Sequence, residues 1–458
     1  MKEQILPSSF RDPSGFLFKR DGVLYRQINK IYQKDYDHLI ESGLYKILVD
    51  QQLLIPHIEV KNFRGADSKA YKIIKPEKID FISYPYEWTF SGLKDAALTT
   101  LKIQEIAFEK GMILKDSSAY NIQFRFGKPI LIDSLSFKKY TKGEPWPAYK
   151  QFCQHFLAPL ALMEHTDARL NQLLRVYIDG IPLDLACSLL PGKCRFSLSL
   201  LTHIFMHSKS QKHYSDRKIK KSKLSISENS FKGLIDNLRS TIEKLNWRES
   251  KTEWGDYYNI TNYSTQAFNK KKKIIEKILD REKPKNVWDM GANDGEFSRL
   301  VCNKNIPTIA FDIDFVAVEK NYLRCKEENE RMMLPLLCDL TNLSPAIGWA
   351  NEERLSLMER APADMAFALA LIHHLAISNN LPFAKIAKFF SQICSDLIIE
   401  FVPKGDSQVK KLLTTREDIF VSYNQQEFEK EFSSFFLIKE SHKIKGSKRI
   451  LYYMKSHK

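Results

Sequence analysis

The sequence predicts an α/β protein in which a doubly wound parallel sheet over residues 255–458 follows an α+β domain over residues 1–207. The first observation is that apolar strand-like segments alternate with helix-like segments from about residue 255 to 402. That alternation is typical of a parallel sheet with helices on both faces. The second observation is a mixture of a hairpin, short strands and helices before residue 207.

Composition narrows the class of protein. Apolar residues make up 43% and charged residues 27% of the 458 residues, which is ordinary for a globular protein. The chain has no apolar stretch of 18 residues, and its N-terminus leads into no apolar segment, so we expect neither a membrane span nor a signal peptide. The seven cysteines are dispersed and form no C-x-x-C pair. We therefore expect a cytoplasmic protein with reduced thiols, without disulfides or a zinc site.

A basic segment separates the two predicted domains. Residues 208–254 are expected to hold a basic linker and a connecting helix, and residues 208–223 read SKSQKHYSDRKIKKSK. A solvated linker explains this composition. The net charge of +15 also leaves open a contact of this run with nucleic acid or another anionic partner.

The elements of the first domain follow from local patterns. Asp21-Gly22 between two apolar runs predicts a hairpin over residues 14–30. Helical periodicity follows, then short strands, a long helix that Gly111 caps, and a tight strand pair. The predicted ranges are helix 31–52, strands 54–61 and 71–84, helix 89–110, strands 122–126 and 129–133, and a helical region over 145–207.

The second domain is predicted to begin with a helix and to end with two strands. Between them, apolar strands are each followed by a helix. The predicted ranges are helix 264–280, strands 286–289, 307–311, 334–337 and 364–371, and final strands 435–438 and 449–454.

A glycine turn follows the first of these strands. Strand 286–289 ends in Asp289, and Gly291 and Gly295 follow before a helix opens. Glycines let the backbone bend and approach a ligand closely, and the helix presents free N–H groups to it. The dinucleotide pattern G-x-G-x-x-G is absent. A nucleotide-sugar or nicotinamide enzyme with the same sheet stays an alternative.

Two further strands also end in acidic residues. Asp312 lies 23 residues after Asp289, the distance of one β-α-β step, where a carboxylate can accept both hydroxyls of a ribose. Asp339 follows the next strand. Ligands of open α/β sheets bind at such carboxyl ends.

This series resembles the class I S-adenosylmethionine methyltransferases, across roughly residues 255–455. Their D-x-G-x-x-x-G motif is matched by Asp289, Gly291 and Gly295, with Asn293 at the usual middle glycine. The resemblance implies a Rossmann-like sheet with an antiparallel last strand, and S-adenosylmethionine as cofactor. It also implies that Asp312 binds the ribose and that Asp339 lies beside the adenine. No Asn-Pro-Pro-Tyr or Asp-Pro-Pro-Tyr stands at 368–374, which argues against methylation of adenine amino groups in DNA.

Catalytic candidates follow from the chemistry of methyl transfer, which asks the protein mainly to hold a nucleophile at attack distance and to accept its proton. His373 and His374 lie beyond a strand end and could act as the base. Packing or helix capping is the alternative for His374. Tyr263 precedes the glycine turn in an aromatic run and is expected to cover the cofactor or simply to pack.

A second constellation lies in the first domain. Asp116 and Asn121 are five residues apart, and Asp133 follows twelve residues later at a strand end. This spacing resembles the catalytic and metal loops of protein-kinase-like folds, which implies Asp116 as base and Asn121 and Asp133 as ligands of ATP-bound magnesium. The family's residues beside these loops are replaced, and Arg26 stands where a phosphate-binding lysine is expected. A kinase-derived recognition domain, an active kinase and an unrelated α+β domain remain open.

The whole layout also resembles bacterial methyltransferases of the nodulation-protein type, in which a similar front half precedes the methyltransferase half. The run Glu400-Phe401-Val402-Pro403-Lys404 contributes to this resemblance. The leading hypothesis is a methyltransferase whose front domain recognises an unidentified acceptor. The alternatives are a bifunctional or regulated protein that binds ATP and magnesium, and a nucleic-acid-binding protein with a vestigial cofactor fold.

Overall fold

The computed structural model describes residues 3–61, 65–206, 225–248, 265–414 and 416–457. The chain divides into two compact units. The first unit comprises Met1–Arg248 with Ala346–Arg354, and the second comprises Glu249–Pro345 with Leu355–Lys458. A short segment of the later sequence therefore belongs to the first unit. Its carboxylate Glu353 accepts two hydrogen bonds from the Arg11 guanidinium, at 2.7 and 2.9 Å.

The first unit opens with a five-stranded antiparallel sheet in the order β1-β2-β3-β5-β4. The predicted hairpin is confirmed, since β2 and β3 pair across Asp21 and Gly22, whose φ angles are 50° and 82°. The strand predicted over 71–84 is shorter, because it ends at Pro76, whose ring nitrogen cannot donate to a sheet ladder. The strands are Glu3–Ile5 (β1), Gly15–Arg20 (β2), Val23–Asn29 (β3), His57–Glu59 (β4) and Ala70–Pro76 (β5).

Glycines set the helix boundaries beside this sheet. The helix predicted over 31–52 is divided into Gln33–Glu41 (α1) and Leu44–Asp50 (α2), because Gly43 adopts a left-handed φ of 75° between them. The long helix is confirmed as Phe90–Glu109 (α3); the Thr89 side chain accepts from the N–H of Gly92 at its start. A small core joins helices and sheet through Ile28, Tyr32, Tyr36, Ile74 and Leu135.

After α3 the first unit consists of two small strand pairs and a series of helices. The strands Met112–Leu114 (β6) and Phe137–Lys139 (β9) pair with each other, as do Ile122–Arg125 (β7) and Lys128–Leu131 (β8). The predicted pair at 122–133 is thereby confirmed. The helices are Tyr149–Phe152 (α4), Ala158–His165 (α5), Leu173–Val176 (α6), Leu183–Leu189 (α7), Leu198–Leu200 (α8) and Glu228–Lys244 (α9).

The sequence places α9 in the connecting segment, but the structure packs it within the first unit. Phe231 of α9 stacks on Phe108 of α3 with ring centroids 4.5 Å apart. Phe231, Ile235, Leu238 and Ile242 are buried, and their spacing of three or four residues puts them on one helix face.

The second unit contains a seven-stranded sheet in the order β12-β11-β10-β13-β14-β16-β15. Its first five strands are parallel, and β16 runs antiparallel between β14 and β15. This is the predicted doubly wound, Rossmann-like sheet, and the structure confirms it: the last strand of the chain, β16, is the one antiparallel strand in the described sheet, and β15 beside it runs parallel to the first five. The strands are Val287–Met290 (β10), Thr308–Asp312 (β11), Met333–Leu337 (β12), Ala363–Ala368 (β13), Cys394–Phe401 (β14), Phe436–Lys443 (β15) and Ile450–Ser456 (β16).

Helices pack against this sheet and enclose its core. Strand β10 is buried at all four positions, as expected for a central parallel strand covered on both faces. Side chains of the first helix, including Ala267, Ile275 and Ile278, join Val287 and Met365 in one hydrophobic cluster. The helices are Thr265–Glu282 (α10), Glu296–Cys302 (α11), Phe315–Glu327 (α12), Leu357–Arg360 (α13), Phe383–Ile393 (α14), Ser407–Leu413 (α15) and Gln425–Ser433 (α16).

The order of the strands positions the site. Chain order reverses between β10 and β13, and open α/β sheets leave a crevice beyond the strand ends at such a point. Within the described residues, no helix combines the length and apolar character needed to cross a membrane. The seven cysteines are free thiols.

Candidate cofactor-binding site

A cavity of about 350 Å³ opens at the carboxyl ends of strands β10 to β13 in the second unit. Its wall includes the ends of these four strands and part of α10. Six residues that the sequence singles out line it together: Asp289, Gly291, Asn293, Asp312, Asp339 and His374.

The glycine turn that follows β10 lines the cavity through Gly291, Ala292 and Asn293. Gly291 adopts a φ of 90°, and its N–H and that of Ala292 both donate to the carbonyl of Phe311 at 2.9 Å. Asn293 has a φ of 52°. Asparagine tolerates this left-handed conformation better than most residues, which explains how it replaces the usual middle glycine.

Gly295, which the sequence predicted to bind the cofactor, is not among the residues that line the cavity. It precedes α11 with a φ of 82°, and a Cβ at this position would lie 2.6 Å from Nδ2 of Asn321. Its role is therefore to let the turn pack against Asn321 and Arg299, whose side chains are buried.

Asp289 is a buried carboxylate at the end of β10. The Ser298 hydroxyl donates to its Oδ2 at 2.7 Å, whereas its Oδ1 has no hydrogen-bond partner within the described residues. Burial raises the pKa of Asp289 to about 7. A buried carboxylate oxygen without a donor is costly, so this atom is suited to a cationic or hydrogen-bonding group of a ligand.

Asp312 faces the same cavity from the end of β11. Its Oδ2 accepts the N–H of Asn293 at 2.8 Å, and its Oδ1 accepts the N–H of Asp314 at 2.9 Å. Burial raises the pKa of Asp312 to about 6. Each carboxylate oxygen can accept more than one hydrogen bond, so adjacent hydroxyls of a ligand can be bound as well.

Asp339 lies at the next strand end because Asp312 pairs with Leu337 in the register of β11 and β12. Its Oδ1 accepts from both the N–H and the hydroxyl of Thr341, at 2.8 and 2.7 Å. Cys338, Leu340 and Ile313 line the cavity around it and give this end a largely apolar surface.

The two histidines occupy different environments. His374 lines the cavity, and its carbonyl accepts two hydrogen bonds from Asn379. His373 is 1% exposed and is not among the cavity-lining residues; its Nδ1 has no hydrogen-bond partner within the described residues. Burial lowers the pKa of His373 well below its ordinary value. The structure thus separates the two candidates and places only His374 where a ligand can reach it.

In the first unit, the residues that resemble the catalytic and metal loops of kinases, Asp116, Asn121 and Asp133, also lie close together. Arg26 Nη2 lies 2.7 Å from Asp133 Oδ1, and the Ser136 hydroxyl donates to Asp133 Oδ2 at 2.8 Å. Asn121 Nδ2 lies 3.4 Å from the same hydroxyl. Burial, followed by the charge of Asp133, raises the pKa of Asp116. Among the described residues no group of three or more His, Cys, Asp or Glu side chains is arranged to hold a metal ion.

The decisive comparison covers nearly the whole chain. Nodulation protein NoeA from Rhizobium meliloti (strain 1021) is 32% identical over 459 residues, which cover 97% of this chain and 94% of that protein. The chain belongs to the NoeA family. The predicted resemblance to a nodulation protein is thereby confirmed.

Three solved structures that are similar to this chain each cover less than half of it. The PH0226 protein from Pyrococcus horikoshii OT3 is 15% identical, with 44% of this chain and 98% of that chain covered and a TM-score of 0.31. Magnesium protoporphyrin IX methyltransferase from Synechocystis PCC 6803, solved with SAM, is 14% identical over 46% and 87%, with a TM-score of 0.30. Monomeric WbdD is 14% identical over 45% and 44%, with a TM-score of 0.30. No protein-family model matches the chain.

Two of the sequence predictions concern residues that the structure does not describe, and the sequence analysis missed one residue that lines the cavity. Tyr263 and the basic run 208–223 lie outside the described residues. Lys271 lines the cavity but was missed. It lies four residues from both Ala267 and Ile275, so a lysine within the apolar stripe of α10 was the signal that could have identified it.

Proposed function

We propose that this NoeA-family protein is an S-adenosylmethionine-dependent methyltransferase whose second unit binds the cofactor. The observation that supports this most strongly is the placement of Asp289, Asp312 and Asp339 at three strand ends around one cavity, which a glycine turn also lines. Three carboxylates so placed suit the three polar regions of a nucleoside joined to an amino acid.

The residues present fit this cofactor part by part. Asp289, whose Oδ1 has no donor in the described part of the chain, would pair with the amino group of the methionine moiety. Asp312 would accept the ribose hydroxyls, and Asp339 with the apolar side chains beside it would hold the adenine. The bound cofactor supplies a methyl group on a positively charged sulfur, already activated for transfer.

The protein's own contribution is then positioning and proton removal. His374 is the candidate base, since this residue lines the cavity and an imidazole can hold the proton of an attacking hydroxyl or amine. Leu371 and Leu375 line the same wall and exclude water from the acceptor. The first unit is proposed to contribute to recognition of the acceptor, whose identity is open.

A thermal-shift experiment tests this proposal against the dinucleotide alternative. S-adenosylhomocysteine at about 100 times its Kd should stabilise the full-length protein by roughly 2.7 kcal/mol, as for any ligand that binds only the folded state. NAD at equal concentration should leave the Tm unchanged. Stabilisation by NAD, or by neither compound, contradicts the proposal.

A further inference from the structure

Helix α10 carries one buried cation on its cavity side. Lys271 is 1% exposed and lines the cavity, and its Nζ lies 2.9 Å from Oε2 of Glu400. The same nitrogen lies 4.5 Å from the centroid of the Phe297 ring, another residue of the cavity wall. Burying a charged pair gains little over burying an apolar pair of the same size, so helix packing alone does not explain a lysine here.

Glu400 connects this lysine to the turn beyond β13. Its Oε2 also accepts the N–H of Ala370 at 2.8 Å, and Ala370 lines the cavity with a left-handed φ of 50°. Arg449 lies 3.8 Å from the same oxygen but pairs closely with Asp406, at 2.8 Å. Glu400 therefore positions two parts of the cavity wall at once, the Lys271 ammonium and the backbone at Ala370.

The cavity consequently presents charges of both signs. Asp289 contributes a carboxylate oxygen that has no donor among the described residues, and Lys271 contributes an ammonium. Of the described residues that line the cavity, Lys271 is the single lysine or arginine. A free amino acid group carries an ammonium and a carboxylate on one carbon and needs both partners.

We propose that Lys271 binds the carboxylate of the cofactor's amino acid part and that Glu400 is the positioning residue that holds Lys271 at the cavity wall. This inference rests on the proposed function. It assigns the two ends of the zwitterion separately, the ammonium to Asp289 and the carboxylate to Lys271. The affinity of a ligand that keeps the nucleoside but lacks the amino acid should therefore not depend on Lys271.

The test compares two ligands by isothermal titration calorimetry of the full-length protein. S-adenosylhomocysteine carries the amino acid part, and 5′-methylthioadenosine lacks it. In Lys271→Met, the affinity for S-adenosylhomocysteine should fall at least about tenfold, in line with the loss of one charged hydrogen bond. The affinity for 5′-methylthioadenosine should change less than about threefold. Lys273→Met, on the exposed face of the same helix, is the matched control and should bind both ligands like wild type.

Lys271→Met leaves Glu400 buried without its nearest cation and could therefore destabilise the fold. A second variant separates that effect from the loss of ligand binding. The double variant Lys271→Met/Glu400→Gln restores neutrality, keeps an acceptor for the N–H of Ala370, and should show the same selective loss. Equal weakening of both ligands in the folded variants, or no weakening of either, overturns the inference. Failure of wild type to bind either ligand instead refutes the proposed function itself.

Discussion

In the first unit, the Arg26 guanidinium lies 2.7 Å from the Asp133 carboxylate, and both side chains are largely buried. Asp133 is the residue that the kinase-like spacing assigns to magnesium. An arginine cation at this distance neutralises the charge that would attract a metal ion, so the pair disfavours an ATP-magnesium site of the usual kind.

The first prediction follows from this pair. ATP with magnesium should not raise the Tm of the full-length protein, whereas binding at 100 times Kd would add roughly 2.7 kcal/mol. Arg26→Met should lower the free energy of unfolding of the first unit by about 3–5 kcal/mol, because it leaves Asp133 buried without its partner. Asp133→Asn added to Arg26→Met should recover much of that loss. A magnesium-dependent rise in Tm with ATP would revive the kinase alternative.

The second prediction concerns pH. The pKa values of Asp289 and Asp312 are raised to about 7 and about 6, so these carboxyls gain protons as pH falls through that range. A ligand that binds their charged forms should bind roughly tenfold or more weakly at pH 5.5 than at pH 8 and should release protons near pH 6.5. Calorimetry in buffers of different ionisation enthalpy measures that release.

The same two carboxyls should make the ligand-free protein less stable as pH rises, whereas ligand affinity increases with pH. Their pKa values are higher in the folded chain than in the unfolded chain, so their contribution to stability declines as pH rises from about 4 to 7. Asp289→Asn removes one of them and should flatten this decline in Tm. An unchanged pH profile of Tm in that variant would contradict the assignment.

The third prediction compares two glycines of one turn. Gly291→Ala and Gly295→Ala both place a Cβ at a left-handed φ, which costs about 1–2 kcal/mol. The new Cβ at 295 would also meet Asn321 and Arg299 within 3 Å, whereas at 291 the nearest atom is Leu371 Cδ1 at 3.3 Å. Gly295→Ala should therefore lower the Tm more than Gly291→Ala. Equal effects would show that backbone strain alone decides the outcome.

The fourth prediction separates the two histidines. His374→Gln should leave cofactor affinity within about threefold and lower the rate of S-adenosylhomocysteine formation with the acceptor by roughly a hundredfold, the usual contribution of a general base. His373→Gln should act through stability, because the ring is buried away from the cavity. A lower Tm with an unchanged rate per folded molecule is the expected result. Loss of rate from His373→Gln alone would reverse the assignment.

The sequence was sufficient to predict the elements that neighbouring residues determine. Asp21-Gly22 predicted a hairpin because its left-handed turn is encoded by two adjacent residues, and the structure has it. The alternation of strands and helices predicted the parallel sheet, since each strand is a short apolar run between helices, and the resemblance to class I methyltransferases implied the antiparallel last strand. The acidic residues at three strand ends converge on one cavity because parallel strands place their carboxyl ends at the same edge.

Contacts between residues that are far apart in the sequence could not be predicted from local patterns. Lys271 reaches Glu400 across 129 positions, and no periodicity within α10 reveals that partner. The sequence offered both His373 and His374 as the base and gave packing as the alternative for His374, whereas His373 is the ring that the fold buries away from the cavity. Residues 346–354 belong to the first unit although they lie within the second unit's strand and helix series, and their composition gives no sign of it.

The central claim is most directly tested by calorimetric titration of S-adenosylmethionine into wild type, Asp312→Asn and the matched control Asp364→Asn. Asp364 lies at the amino end of β13, away from the cavity, and accepts the N–H of Lys285. The account predicts saturable binding to wild type and control. It predicts binding at least about tenfold weaker in Asp312→Asn, since a charged hydrogen bond is worth roughly 1.5–3 kcal/mol. No binding to wild type, or equal binding to all three proteins, would contradict it.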